Sequence, residues 1–167
     1  DHRYLVFAAE LLTEFVHGGH PARTCAQNDD VADAERCGEL REPGTYEGSG
    51  TSGDLEQPYW IVIPDTYSEM APAPLFMNLS TGSGSHNENM AGWRPYLEDV
   101  PGLMVIVNTQ GRERTEPEAL LALIDHIEEE YCVDPERVHV MGTAWVAPIA
   151  ENLACAASTR IASFAAA

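Results

Sequence analysis

Six histidines, four cysteines and three tryptophans are the side chains here with obvious chemical potential. Their spacing limits what they can do. His17, His20 and Cys25 lie close enough in sequence to share a metal ion, but Gly18-Gly19 between them reads as plain loop. Asp29, Asp30 and Asp33 cluster without the spaced ligands of a calcium loop. No Cys-x-x-Cys pair exists, which disfavours a zinc ribbon or a thioredoxin-type site. Neither a metal nor a cofactor is expected. Trp60, Trp93 and Trp145 have faces that could stack on sugars or aromatic rings, though core packing is the ordinary fate of such residues. Asn78-Leu79-Ser80 matches a glycosylation acceptor, but it falls at an expected strand end, so no modification is expected there.

The elements that position these residues begin at Tyr59. Tyr59 to Ile63 is rich in aromatic and β-branched residues and is stopped by Pro64, which predicts a strand. Leu75 to Leu79 and Leu103 to Val107 are short apolar runs that suit strands buried on both faces. A helix is expected from about Asn87 to Glu98. Thr115 opens another, with a Thr-x-x-Glu capping box to Glu118 and an apolar face of Leu120, Leu121, Ile124, Ile127 and Tyr131. Val138 to Met141 reads as a strand that runs straight into Gly142, with a helix from about Trp145 to Ala156 and a last strand from Ile161 to Ala165. Strands alternating with helices predict a three-layer α/β sandwich with a mostly parallel sheet.

Three stretches then line up in order: Pro74-Leu75-Phe76-Met77-Asn78-Leu79-Ser80-Thr81-Gly82-Ser83-Gly84-Ser85, Ala122 to Ile127 with Tyr131-Cys132-Val133-Asp134-Pro135-Glu136-Arg137-Val138 running into Gly142, and Leu153-Ala154-Cys155. Over roughly residues 58–167 the chain resembles the α/β-hydrolases grouped as polyhydroxybutyrate depolymerases, feruloyl esterases and acetylxylan esterases. The resemblance implies a truncated α/β-hydrolase fold and a secreted or periplasmic carboxylic-ester hydrolase. Such enzymes carry a serine in Gly-x-Ser-x-Gly on a sharp strand-to-helix turn. A histidine takes its proton, an acid orients the histidine, and backbone amides hold the oxyanion.

This chain departs from that pattern at each point. The elbow reads Gly142-Thr143-Ala144-Trp145-Val146, so a methyl group stands at the nucleophile position and Val146 replaces the second glycine. Thr143 is the nearest hydroxyl, one residue out of phase. The loop where the family has His-Gly reads Ser80-Thr81. In the family the acid and base follow later strands, beyond the segment matching Ile161 to Ala165. All six histidines (His2, His17, His20, His86, His126 and His139) precede the elbow. His126 falls on the polar side of a helix and His139 on a strand; neither matches the family's base. No intact catalytic set is expected. Two readings stand side by side: a family esterase that is inactive in this chain, and a non-catalytic binding or structural module on the same scaffold.

Composition bounds the rest. The 27 acids against nine bases, all arginine, give a net charge of −18, which repels phosphate backbones and anionic membranes. A strongly solvated surface is the plain explanation; a high-salt habitat or cation binding is the sharper one. Neither nucleic acid nor membrane is expected as a partner, while polysaccharide or polyester is a possible ligand. The even cysteine count fits two disulfides, Cys25–Cys37 and Cys132–Cys155, with four free thiols as the alternative. Residues 3–22 read as an amphipathic helix, or as a degraded secretory signal interrupted by Glu10, Glu14 and His17. The chain divides into residues 1–57, an N-terminal helix and a disulfide-pinned linker, and 58–167, a partial hydrolase domain. A sheet ending near Ile161 leaves an edge to cover, so a homo-oligomer or a C-terminal-half partner is expected.

Overall fold

The computed structural model describes residues 37–39, 41–52, 54–80, 102–109 and 115–166. These form a mixed sheet of six strands: β1 (Gly44–Ser52), β2 (Leu55–Ile63), β3 (Ala73–Ser80), β4 (Leu103–Asn108), β5 (Val133–Gly142) and β6 (Ser163–Ala166). Their spatial order is β1-β2-β4-β3-β5-β6. The β1–β2 and β2–β4 pairings are antiparallel, whereas β3–β4, β3–β5 and β5–β6 are parallel. Two helices are described, α1 (Pro117–Glu130) and α2 (Ala147–Ala156).

The hairpin begins earlier than composition implies. Within the stretch expected to be linker, residues 44–52 form β1 and 55–57 begin β2. The glycines responsible for that reading have a packing role. A side chain at Gly48 would collide with the Tyr59 ring, and one at Gly50 would lie 2.7 Å from Leu123 Cδ1 on α1. Small residues let the helix and the tyrosine press directly onto β1.

Both helices pack on one face of the sheet. Tyr59, Ile61 and Ile63, then Leu75, Met77 and Leu79, then Leu103, Val105 and Val107, and finally Val138 and Val140 alternate into one core with Leu120, Leu123, Ile124 and Ile127 of α1 and with Ala150 and Leu153 of α2. Full burial of each large aliphatic side chain is worth about 1.5–3 kcal/mol. The other face also buries Phe76, Met104, Ile106 and Met141. Such strands, apolar on both faces, are what a sheet centre with cover on both sides requires. The helix expected at Asn87–Glu98 lies outside the described residues.

Helix α1 starts two residues after Thr115. Its N-cap is Glu116, with no side-chain cap hydrogen bond, and Pro117 occupies the first turn. The capping box is therefore not formed; proline's fixed φ supplies the start instead. Leu123 replaces Leu121 on the buried stripe. Arg160, just beyond α2, binds α1 through Asp125 at 2.8 Å and Glu128 at 3.0 Å.

The disulfide pairing also differs from expectation. Cys37 is bonded to Cys132, and Cys155 is free and exposed. Cys25 lies outside the described residues. Backbone contacts explain the pairing: Cys37 N–H donates to the Glu69 carbonyl, Glu39 N–H to the Glu130 carbonyl and Ala73 N–H to the Cys132 carbonyl. Residues 37–39 thus run alongside the end of α1 and the entrance to β5. Gly38 lies so close to the Tyr131–Cys132 backbone that a Cβ would overlap it.

Candidate functional site

The carboxyl ends of three parallel strands meet at one edge of the sheet. Ser80 of β3 is level with Asn108 of β4, and Leu79 is level with Gly142 of β5. In open α/β sheets ligands bind outside this edge. Thr109 holds two of the ends together, its N–H and Oγ1 both donating to the Ser80 carbonyl at 2.9 and 2.8 Å. Buried Gln57 adds a bond from Nε2 to the Asn108 carbonyl at 2.8 Å. Its Oε1 is buried without a partner.

The turn after β5 departs from ordinary backbone. Thr143 is extended, and Ala144 then takes φ 55 and opens a short 3-10 turn, Ala144–Val146, that leads into α2. Among the described residues Ala144 alone combines a side chain with positive φ. That conformation costs an alanine about 1–2 kcal/mol. Gly142 is required by proximity, because a Cβ there would lie 2.5 Å from the Val146 carbonyl oxygen and 3.2 Å from Ala150 Cβ. Val146 is buried in the core, while Thr143, Ala144 and Trp145 are exposed. Trp145 is 88% exposed, so core packing, the ordinary fate of tryptophan, does not apply to it. Trp60 is partly buried and donates from Nε1 to Glu47 at 3.1 Å. Trp93 and Thr81 lie outside the described residues.

The structure brings no histidine to this turn among the described residues. His126 sits on α1 against β2, with Nε2 3.4 Å from the Tyr59 hydroxyl and 3.7 Å from Glu130. Tyr59 also donates to Glu130 at 3.3 Å. Burial first, and the Glu130 charge second, push the Tyr59 phenol above its ordinary pKa. His139 lies inside β5, its Nδ1 2.8 Å from Ser163 Oγ. Burial, aided by the Arg137 charge, pulls its pKa down. Residue type and spacing do not reveal this pair, since it depends on the register of β6 against β5. Asn78 is buried in the central strand β3. Among the described residues no three His, Cys, Asp or Glu side chains converge as metal ligands. No described helix is long and apolar enough to cross a membrane.

No family model matches the sequence, and no curated protein matches it. Solved structures do. A serine-to-alanine mutant of the feruloyl esterase module from Clostridium thermocellum, complexed with sinapinate, aligns with TM-score 0.64 at 11% identity, over 87% of this chain and 61% of that one. A thermostable esterase gives TM-score 0.59 at 16% identity, over 72% of this chain and 39% of its own. Porphyromonas gingivalis dipeptidyl peptidase 4 gives 0.58 at 18% identity, over 83% and 22%. This chain thus spans less than two thirds of each of these three solved chains. With esterases and peptidases as structural neighbours, and a mixed six-stranded sheet flanked by helices, the chain has the α/β-hydrolase fold.

Proposed function

We propose that this chain is a secreted carboxylic-ester hydrolase by descent, of the polyester or feruloyl and acetyl-xylan esterase type, and that its elbow is catalytically silent. One observation carries the reading: Ala144 occupies the positive-φ position between β5 and α2, where a hydrolase elbow holds its serine. The backbone keeps the strained geometry that exposes a nucleophile, and the side chain is a methyl. In sequence, Ser80-Thr81 replaces the His-Gly of the family's oxyanion loop, and Gly142, Thr143, Trp145 and Val146 complete the altered elbow. A methyl group cannot attack a carbonyl, and without the covalent step little rate remains. Esterase neighbours support the reaction class. The Cys37–Cys132 bond supports an oxidising compartment.

The test is steady-state turnover of p-nitrophenyl acetate and a feruloyl ester by the purified chain. No turnover beyond one equivalent is expected from the wild type or from Ala144→Ser, which restores the hydroxyl but supplies neither base nor acid. Sustained turnover by either protein overturns the reading.

A second reading has its own observation. Among the described residues β6 pairs with β5 alone and so presents an open outer edge, with Phe164 44% exposed beside it. In that reading the chain is a binding or structural module that assembles through this edge, with a second copy or with a C-terminal-half chain. Sedimentation of a dilute monomer counts against it.

A further inference from the structure

Ser163 and His139 are register partners on β6 and β5, and their Oγ and Nδ1 atoms lie 2.8 Å apart. Phe76 continues the row on β3, level with His139. Its ring stacks on the imidazole at 5.0 Å with an interplanar angle of 19°, which holds the ring in position. Phe76 lies outside the core formed with α1 and α2, so the row belongs to the opposite face of the sheet. Ser163 and His139 are both partly exposed, and β6 is the outermost described strand. His139 precedes Gly142 by three residues, or about 10 Å of strand. The pair is thus separate from the Ala144 turn.

We propose that Ser163 is a nucleophile activated by His139, accepting the acyl group of small activated aryl esters. A hydroxyl at hydrogen-bond distance from an imidazole nitrogen meets the geometric requirement for general-base assistance. Burial and Arg137 keep the imidazole neutral near pH 7, so that Nδ1 accepts a proton when Nε2 carries the ring hydrogen. Ser163 Oγ attacks the ester carbonyl while Nδ1 takes the hydroxyl proton. The bond to the aryloxide then breaks, and the imidazolium returns its proton to the leaving oxygen. An acyl ester on Ser163, a free phenol and a neutral His139 remain. Among the described residues β6 pairs on one side only, and successive amides of a strand point to opposite sides, so they do not converge on one oxygen as an oxyanion hole requires. The outcome is a single acylation, and only leaving groups as good as p-nitrophenolate suit it.

The sequence favours a clean experiment, because it contains no lysine to compete for the acyl group. Protein whose free thiols have been alkylated is treated with p-nitrophenyl acetate at neutral pH, digested and mapped by mass spectrometry. The expected result is one burst equivalent of p-nitrophenol and one acetyl group on the Ser163 peptide. Ser163→Ala abolishes both, and Ser163→Thr, which keeps a hydroxyl on a strand-favouring residue, retains labelling should the alanine variant fold poorly. His139→Gln, which preserves hydrogen bonding but cannot act as base, slows acylation about 100-fold. Wild-type protein unlabelled at Ser163, or His139→Gln labelled at the wild-type rate, overturns the proposal. Neither result bears on the Ala144 elbow, which is judged by sustained turnover.

Discussion

Gly142 and Val146 touch across the turn that follows β5: a side-chain carbon on the glycine would lie 2.5 Å from the valine carbonyl oxygen. Val146 is itself buried. Gly142 is thus fixed by a backbone it cannot avoid, independently of any chemistry at the turn. Gly142→Ala is expected to lower stability by about 1–3 kcal/mol through overpacking. The urea midpoint checks this, and an unchanged midpoint means that the Val146 carbonyl can move aside.

Ala144 invites the opposite change. Relief of its positive φ by glycine returns about 1–2 kcal/mol of strain. The greater freedom of glycine in the unfolded chain costs about 0.4–1 kcal/mol. Ala144→Gly should therefore raise stability by about 0.5–1 kcal/mol. Ala144→Val should lower it, since a β-branched residue tolerates that conformation least. Paired thermal melts decide between these directions and any account in which Ala144 is unstrained.

The Cys37–Cys132 bond closes a sequence separation of 95 residues. Cys37→Ser with Cys132→Ala should cost about 2–5 kcal/mol, with the unfolded chain losing its tether. Peptide mapping without reductant should recover Cys37 linked to Cys132 and Cys155 as an alkylatable thiol. A Cys132–Cys155 peptide would contradict the arrangement of β5 and α2.

Alkaline pH should unfold the protein through its tyrosines. Burial is the leading cause of raised phenol pKa values at Tyr59, Tyr67 and Tyr131. The unfolded state loses these protons first, from about pH 10. Their contribution is therefore whole below pH ~10 and is lost as pH rises toward the folded values. Stability measured against pH should fall above about pH 10, and more gently in Tyr59→Phe. A tyrosinate absorbance titration that shows all six tyrosines ionising together before unfolding would remove the basis for this expectation.

Local signals in the chain marked the central strands well. Leu75 to Leu79, Leu103 to Val107 and Val138 to Met141 all lie within observed strands, because continuous apolar runs have few other places to go. The turn at Ala144 was legible through the resemblance of the segment running into Gly142 to a hydrolase elbow, rather than from the residue pattern alone. The hairpin was obscured by Gly48 and Gly50, which resemble linker until Tyr59 and Leu123 are placed against them. The disulfide and the Ser163–His139 contact depend on which segments lie side by side. Neither cysteine spacing nor residue type encodes that register. With Pro117 in the first turn the N-cap is Glu116, one residue past Thr115, and the capping box does not form, a choice between two valid start signals that composition alone does not rank.

The covalent link between Cys37 and Cys132 has a consequence for proteolysis. It encloses β1 to β4 and all of α1 within one covalent ring. A protease that cuts once anywhere between those residues leaves two fragments that still migrate as a single species on a non-reducing gel. They part only when a thiol reagent is added, so nicked material can pass for intact protein until it is reduced.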